Sequence, residues 1–488
     1  MCDSTEVKQT VFLVVQQGYG ARYLLRTEIL RTLKKHCKRV IVLTPNADED
    51  YMRAEFDGDN VSVEPFRVDE YSKISKRPWH RFFRDVRWYA GNGKADLFTV
   101  DTRYGIHKKN RSNNNPLKVL YYIMQDIAVL LLRRSAFLRR FWIWTECAFL
   151  GPSISTDLFN KYKPDKIVVT SLGVLGYDHY VMREARRFGV EVISVILSWD
   201  NSSSKGMIGA FPDRVVTWTE TMKKEVVEYS EIDPDRVYVG GIAHFDCHFN
   251  AQGRWSKAQT FERLGLDQDK KLIFYSLRSP NKYSWNPEIV EYLAKGLKAS
   301  GLSDSCQLLI RLHPVNFKSR DGVYRFIDDT EAHMRLKEKY QDLLVYDMPE
   351  MLSEKLVIDM PQEEMIKISS LLCYSDVLLC FFSTMILEAC IYDLPVVNVG
   401  LYTHNDLLDK SDNSAHKFPH LKRLLDSGGI RMASSKEDLL ESIKSYLSDP
   451  GLDSAGRKRI LDQECGPNRG CAGEAIANLI MNSGSSRN

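Results

Sequence analysis

The chain has 488 residues, 44% of them hydrophobic and 27% charged, a balance that excludes global disorder and calls for more than one core. Its formal net charge of +3 is too small to make nucleic acid a partner. Ten cysteines are scattered without a CxxC pair, which points to reduced thiols in the cytoplasm rather than to disulfides or structural zinc.

The polar, acidic start MCDSTEVKQT runs straight into a strand-like segment and does not read as a signal peptide. That strand, 11–15, leads into the loop Gln17-Gly18-Tyr19-Gly20-Ala21-Arg22 and an amphipathic helix over 22–36. Further strands are expected at 39–43, 166–170, 191–197, 214–218 and 236–239, with helices over 177–188 and from 220 onward. After Gly240-Gly241 the chain turns polar and helical, and the alternation restarts with strands at 271–276, 307–312, 343–346, 376–380 and 395–399. Strand, loop, helix, strand is the pattern of βαβ units on a parallel sheet. Two such halves make an α/β protein of two Rossmann-like, doubly wound domains facing a central cleft. The first spans 1–249, the second 250–465, and 466–488 holds a last helix and a disordered tail.

The segment 70–155 breaks the alternation. Lysines and arginines there are interleaved with Trp79, Phe82, Phe83, Trp88, Tyr89, Phe141, Trp142 and Trp144. It reads as a mostly helical insertion in the first domain, with two uses open. One is docking on an anionic membrane surface, at the inner face of the cytoplasmic membrane. The other is a lid whose aromatics pack inward and whose charges face water. Its longest apolar run, 119–132, is interrupted by Gln125 and Asp126 and falls short of the ~18–20 residues of a spanning helix.

In doubly wound sheets ligands sit beyond the carboxyl ends of the strands, which selects the loops to inspect. Phe382-Ser383-Thr384 follows one strand and opens a helix, whose N-terminal N–H groups and dipole suit a phosphate. Glu388 lies one turn on, where a carboxylate either takes ribose hydroxyls or is a salt-bridged glutamate behind a cap. Arg278 and Ser279 end another strand, and Arg311 and His313 a third, so three donors converge as a diphosphate requires. In the first domain, Gly18, Tyr19, Gly20 and Arg22 either allow a close backbone approach to substrate or make a tight turn. Trp199 and Asn201 flank the general-base candidate Asp200, and His179 (beside Asp178) and His244 are the other two; the residues do not separate them. Asp48-Glu49-Asp50 matches a DxD metal motif but sits in a short acidic loop, so no metal and no bound cofactor is expected.

Four stretches resemble the GT-B superfamily of glycosyltransferases, and within it bacterial CDP-glycerol glycerophosphotransferase-like and surface-polysaccharide transferases. They are SWDNSSSKG at 198–206, 214–246, RLHP at 311–314 and 375–399; NRGCAGEAIANLI at 468–480 is similar to the family's last helix, which crosses back to the first domain. The resemblance implies metal-independent transfer of a sugar from a nucleotide-sugar donor, the co-substrate, to a glycan or lipid-linked acceptor in surface-polysaccharide or glycoconjugate assembly. It assigns the donor to the second domain, with Ser383, Thr384 and Glu388 on phosphate and ribose, His313 and Arg278 near the diphosphate, and the nucleobase around 346–361. Three rivals share the fold: a CDP-glycerol-type glycerophosphotransferase, a sugar-nucleotide 2-epimerase and an inactive scaffold. For the epimerase no HRREN-like stretch follows the strand at 271–276.

Overall fold

The computed structural model describes residues 9–91, 97–111, 115–281, 285–317, 319–320, 323–400 and 417–482. The tail expected to be disordered lies, from 483 on, outside them. The chain forms two compact units, Met1–Ala243 with Gly466–Asn488, and His244–Cys465. The division falls at 243/244, so His244 belongs to the second unit, where the sequence reading had it in the first.

The first unit is built on a seven-stranded sheet of order β3-β2-β1-β4-β5-β6-β7. Its strands are β1 (Thr10–Val14), β2 (Arg39–Thr44), β3 (Val61–Pro65), β4 (Lys166–Val169), β5 (Glu191–Val195), β6 (Arg214–Thr217) and β7 (Val237–Val239). Every pairing is parallel. Strands β1 and β4 are buried along their whole length, as a sheet covered on both faces demands, which is why they read as unbroken apolar runs. Strand β3 was not expected: it is a half-buried edge strand in which Ser62 and Glu64 interrupt the apolar run.

The glycine loop is not the expected turn. Gly18–Gly20 forms one helical turn, with Gly20 at φ −67° and ψ −41°, and passes into a π-helical turn, Ala21–Leu25. The helix proper starts only at Glu28, because the Thr27 side chain accepts from the Ile29 N–H and caps it. At the other end of the chain the helix Ala472–Met481 joins this unit. Its C-terminal carbonyls accept from Lys166 Nζ at 2.6 and 2.7 Å and from Arg214 at 2.6 Å, cations where the helix dipole is negative.

Six helices run between β3 and β4: Val68–Ser75, Pro78–Ala90, Phe98–Lys109, Pro116–Arg134, Ala136–Phe149 and Thr156–Tyr162. They are tied to the sheet by a buried triad in which Glu146 lies between Arg87 and Arg183. Arg87 also donates to the carbonyls of Gly173 and Met207, and Arg183 to that of Gly209. Burial pulls the Arg87 guanidinium down to about 10. Gly209 is there because a Cβ would lie 2.4 Å from that of His179 and 2.5 Å from the Gly173 carbonyl.

The second unit has a six-stranded sheet of order β12-β9-β8-β13-β14-β15. Its strands are β8 (Lys271–Ser276), β9 (Cys306–Arg311), β12 (Leu344–Asp347), β13 (Val377–Cys380), β14 (Val396–Asn398) and β15 (Arg431–Met432), all parallel. The two-residue strands β10 (Ser319–Arg320) and β11 (Val323–Tyr324) pair separately. Leu293, Leu308, Ile310, Leu379 and Ile443 lie within its core. Each sheet reverses its strand order once, between β1 and β4 in the first unit and between β8 and β13 in the second, and these are the crevices that a doubly wound sheet offers a ligand.

Candidate functional site

In the second unit the loops beyond β9 and β12 enclose a cavity of about 320 Å³, within the range of small-molecule sites. Pro314, Val315 and Phe317 line it from the β9 side, and Pro349, Met351, Ser353, Glu354, Val357 and Ile358 from the β12 side. Its lining side chains are apolar except for Ser353 and Glu354, while polar atoms make up nearly half of the wall. Ser353 Oγ accepts from the N–H groups of Lys355 and Leu356 at 3.1 and 2.9 Å, which folds the loop back on itself. Ile358 is held at φ +60°, a left-handed conformation that a β-branched residue adopts only under constraint. This loop falls within 346–361, the stretch to which the resemblance assigns the nucleobase.

At the rim of the cavity, His313 Nδ1 accepts from the Val315 N–H at 3.1 Å, so the ring proton sits on Nε2. Burial, with Arg311 beside it, lowers the His313 imidazole to about 4. It is therefore a neutral donor at physiological pH rather than a cation. Arg311 is engaged inside the protein. Its guanidinium is buried between Asp347 and Glu364, 2.6 Å from the latter, and Lys367 closes the cluster at 2.8 and 2.5 Å from the same two carboxylates. The third donor expected to converge there is Arg278. It lies across the switch crevice after β8, with its guanidinium carbon 3.8 Å from the centre of the Phe381 ring after β13. Ser279 is partly exposed beside it.

Phe382, Ser383 and Thr384 are partly exposed after β13. Ser383 Oγ accepts from the Met385 N–H at 3.3 Å, while Thr384 makes no side-chain cap to the short helix Met385–Ile391. Glu388 turns away from the cavity. It is buried, with Oε2 3.3 Å from His248 Nε2, and His248 Nδ1 in turn meets the Tyr392 hydroxyl at 3.0 Å. Arg254 and Ser369 complete that network through the same hydroxyl, at 2.9 and 2.8 Å. The sequence pattern marked Glu388 but not His248, which lies 140 positions earlier by the difference of their numbers and belongs to no loop after a strand.

In the first unit the general-base candidates separate. His179 is buried against the Tyr180 ring, 4.1 Å between centres, and burial with Arg87 nearby holds it neutral. Asp200 is partly buried and accepts from Ser198, Ser204 and Lys205 at 2.6, 2.9 and 3.2 Å. Its carboxylate builds its own loop, over buried Trp199 and Asn201. His244 meets the Phe245 ring edge to face, 4.6 Å between centres, in the second unit. The group that does sit at the β1/β4 crevice is Asp178, which the sequence reading passed over for its neighbour. It accepts from Gln16 at 2.5 Å and Ser171 at 2.7 Å, and burial pushes its carboxyl up to about 7. Tyr19, in the loop after β1, is half-exposed, with burial raising its phenol, and Arg22 is partly buried.

That elevation has a measurable consequence. The folded protein holds the Asp178 proton up to about pH 7, whereas an unfolded aspartate releases it near 3.9. The stability contributed is thus complete below the unfolded value and is lost as pH rises through the folded one, with a slope of up to about 1.4 kcal/mol per pH unit. Asp178→Asn is expected to remove that slope from urea midpoints measured between about pH 4 and 7. An unchanged pH profile would contradict the assignment.

Among the described residues no cluster of three His, Cys, Asp or Glu side chains has the arrangement of a metal site. No protein-family model matches the sequence, and no curated protein matches it. Solved structures do. A UDP-GlcNAc 2-epimerase from Neisseria meningitidis bound to UDP-GlcNAc is 12% identical with a TM-score of 0.53, covering 97% of this chain and 100% of that one. The UDP-GlcNAc 2-epimerase from Methanocaldococcus jannaschii is 13% identical with a TM-score of 0.52, covering 96% and 99%. The wall teichoic acid polymerase TagF, 13% identical over 97% of this chain and 88% of that one, has a TM-score of 0.49, too low to carry an argument. At these identities the likeness is one of fold: the chain is built from two parallel-sheet, Rossmann-like units of the GT-B type.

Proposed function

We propose that this protein is a glycosyltransferase that binds a nucleotide sugar in its second unit and passes the sugar to a glycan or lipid-linked acceptor. The observation that supports this most is the cavity of about 320 Å³ beyond β9 and β12. Its prolines, Met351, Val357 and the constrained Ile358 make an apolar slot suited to a planar base, and Glu354 is a carboxylate placed to take ribose hydroxyls. Two strand spacings separate this slot from the β8/β13 crevice, about 10 Å, a span that a nucleoside diphosphate covers from base to phosphates. The diphosphate then meets Arg278 and the Ser383 loop, with His313 Nε2–H as a neutral donor between them. An arginine and oriented N–H groups can take up charge on a leaving diphosphate.

A thermal-shift panel of nucleoside diphosphates and sugar nucleotides, UDP-GlcNAc among them, tests the reading. A ligand at a hundred times its Kd stabilises the folded protein by about 2.7 kcal/mol, which raises Tm by roughly 5–10 °C for units of this size. Val357→Trp, which fills the slot from a partly exposed position, is expected to abolish the shift while leaving the unliganded Tm within a few degrees. A panel without any shift, or a shift that survives in Val357→Trp, counts against the slot. A 2-epimerase would use the same slot. The two reactions part on product: a transferase moves radiolabelled sugar from the nucleotide to an acceptor, whereas an epimerase leaves it attached.

A further inference from the structure

The helices Pro116–Arg134 and Ala136–Phe149 are amphipathic the wrong way round for a water-facing surface. On the first, Gln125 is fully buried and bonded to His107, while Leu117, Leu120, Ile123, Met124, Ile127, Leu130 and Leu131 are 46–76% exposed. On the second, Arg139 and Glu146 are buried in ion pairs, while Phe137, Phe141, Trp144 and Phe149 are 52–75% exposed. Those four rings form a continuous ladder, with centres 6.4, 5.7 and 6.2 Å apart in turn. Along the first helix the apolar positions 117, 120, 124, 127 and 131 keep one face for about 20 Å. Contiguous exposed apolar surface of this extent marks an interaction site. The lid alternative, aromatics inward and charges outward, describes Tyr121 and Trp142, which pack on Phe82, but not the exposed stripe or the ring ladder.

We infer that this face lies on an anionic lipid bilayer, a conclusion independent of the reaction proposed above. Charge selects the occupant. Between 116 and 149 the only acids are Asp126 and Glu146; Glu146 is buried between Arg87 and Arg183, and the partly exposed Asp126 is neutralised by Arg111 at 2.7 Å. Of the bases, Arg133 and Arg139 are held by Asp101 and Glu231. Lys118, Arg134 and Arg140 remain at the surface, and Arg134 continues the apolar stripe at its end. An apolar face with basic residues and no acid left without a cationic partner complements an anionic headgroup layer. A second copy of the same face would bring like charges together. Among the described residues no helix is long and apolar enough to cross a membrane, so the pair lies along the interface.

Co-sedimentation of the full chain with vesicles of phosphatidylcholine, alone or mixed with phosphatidylglycerol, tests this. Binding is expected only to the mixed vesicles and should weaken as salt rises. Arg134→Glu with Arg140→Glu should lower the partition about tenfold or more. Leu120→Asn with Ile127→Asn and Trp144→Ser should abolish it even at low salt. All five positions are solvent-exposed, and circular dichroism confirms that the variants fold. Equal recovery in the supernatant with both vesicle types overturns the inference, as does binding that survives the apolar substitutions. So does a dimer in sedimentation velocity that the apolar variants dissociate while vesicles capture nothing.

Discussion

Glu146→Ala is expected to lower stability by about 3–5 kcal/mol, because it strands two buried guanidiniums without a counter-charge. Both partners are nearly inaccessible: the side chains of Arg87, Arg183 and Glu146 are 4%, 2% and 1% exposed. The arginines keep their bonds to the carbonyls of Gly173, Met207 and Gly209, so the loss is chiefly electrostatic. These carbonyls belong to loops after β4 and β5, so the same substitution should loosen the helices Pro78–Ala90 and Ala136–Phe149 from the sheet. Urea unfolding followed through tryptophan fluorescence reports this directly, since Trp142 and Trp144 lie on the second of those helices. Replacing all three charges by apolar residues of similar volume, Arg87→Met, Glu146→Leu and Arg183→Met, should recover most of the stability. A Glu146→Ala midpoint equivalent to a change of less than about 1 kcal/mol would show that the triad does not anchor the insertion.

Arg311→Ala is expected to cost the second unit a similar amount, about 3–5 kcal/mol, or on the order of 10 °C in Tm. It removes one of two cations from a buried cluster with Asp347, Glu364 and Lys367. Burial alone would raise the Asp347 carboxyl, but Arg311 and Lys367 beside it hold it below the ordinary carboxylate value of 3.8. In the wild type that contribution is present above the ordinary value and is lost only as pH falls through the depressed one. In the variant the acid side of the stability profile should begin to fall at higher pH. Arg311→Met combined with Glu364→Gln rebalances the cluster and should restore part of the loss. Nucleotide affinity, measured at a temperature where Arg311→Ala is folded, should match the wild type. A tenfold weaker affinity with unchanged Tm would reinstate Arg311 as a phosphate ligand.

Much of the architecture was legible in the sequence because strands buried on both faces leave a local signature. Segments such as Thr10–Val14, Lys271–Ser276 and Val377–Cys380 are apolar at nearly every position, and the helices between them carry a 3.6-residue period. Strand β3 escaped because an edge strand alternates polar with apolar residues over only five positions. The helical turn at Gly18–Gly20 escaped because two glycines read as a turn, although here they adopt helical dihedrals.

The candidate site was legible as a set of loops, not as a set of contacts. Strand-end position selected His313, Arg278 and the loop around 346–361, all beside the slot or the crevice. The same rule selected Arg311, Glu388 and Asp200, whose side chains turn out to be engaged inside the protein by Asp347, His248 and Lys205. Hydrophobic runs and periodicity are properties of neighbours along the chain, so the sequence by itself determined the parallel α/β units and the helical segment between β3 and β4. Which face of a helix meets the protein, and which opposite charge lies beside an arginine, depends on residues tens to hundreds of positions away. Only the tertiary structure decided that Gln125, Arg139 and Glu146 face inward and leave leucines and aromatics in the open. Burying those polar groups is tolerable because each finds its partner across the fold.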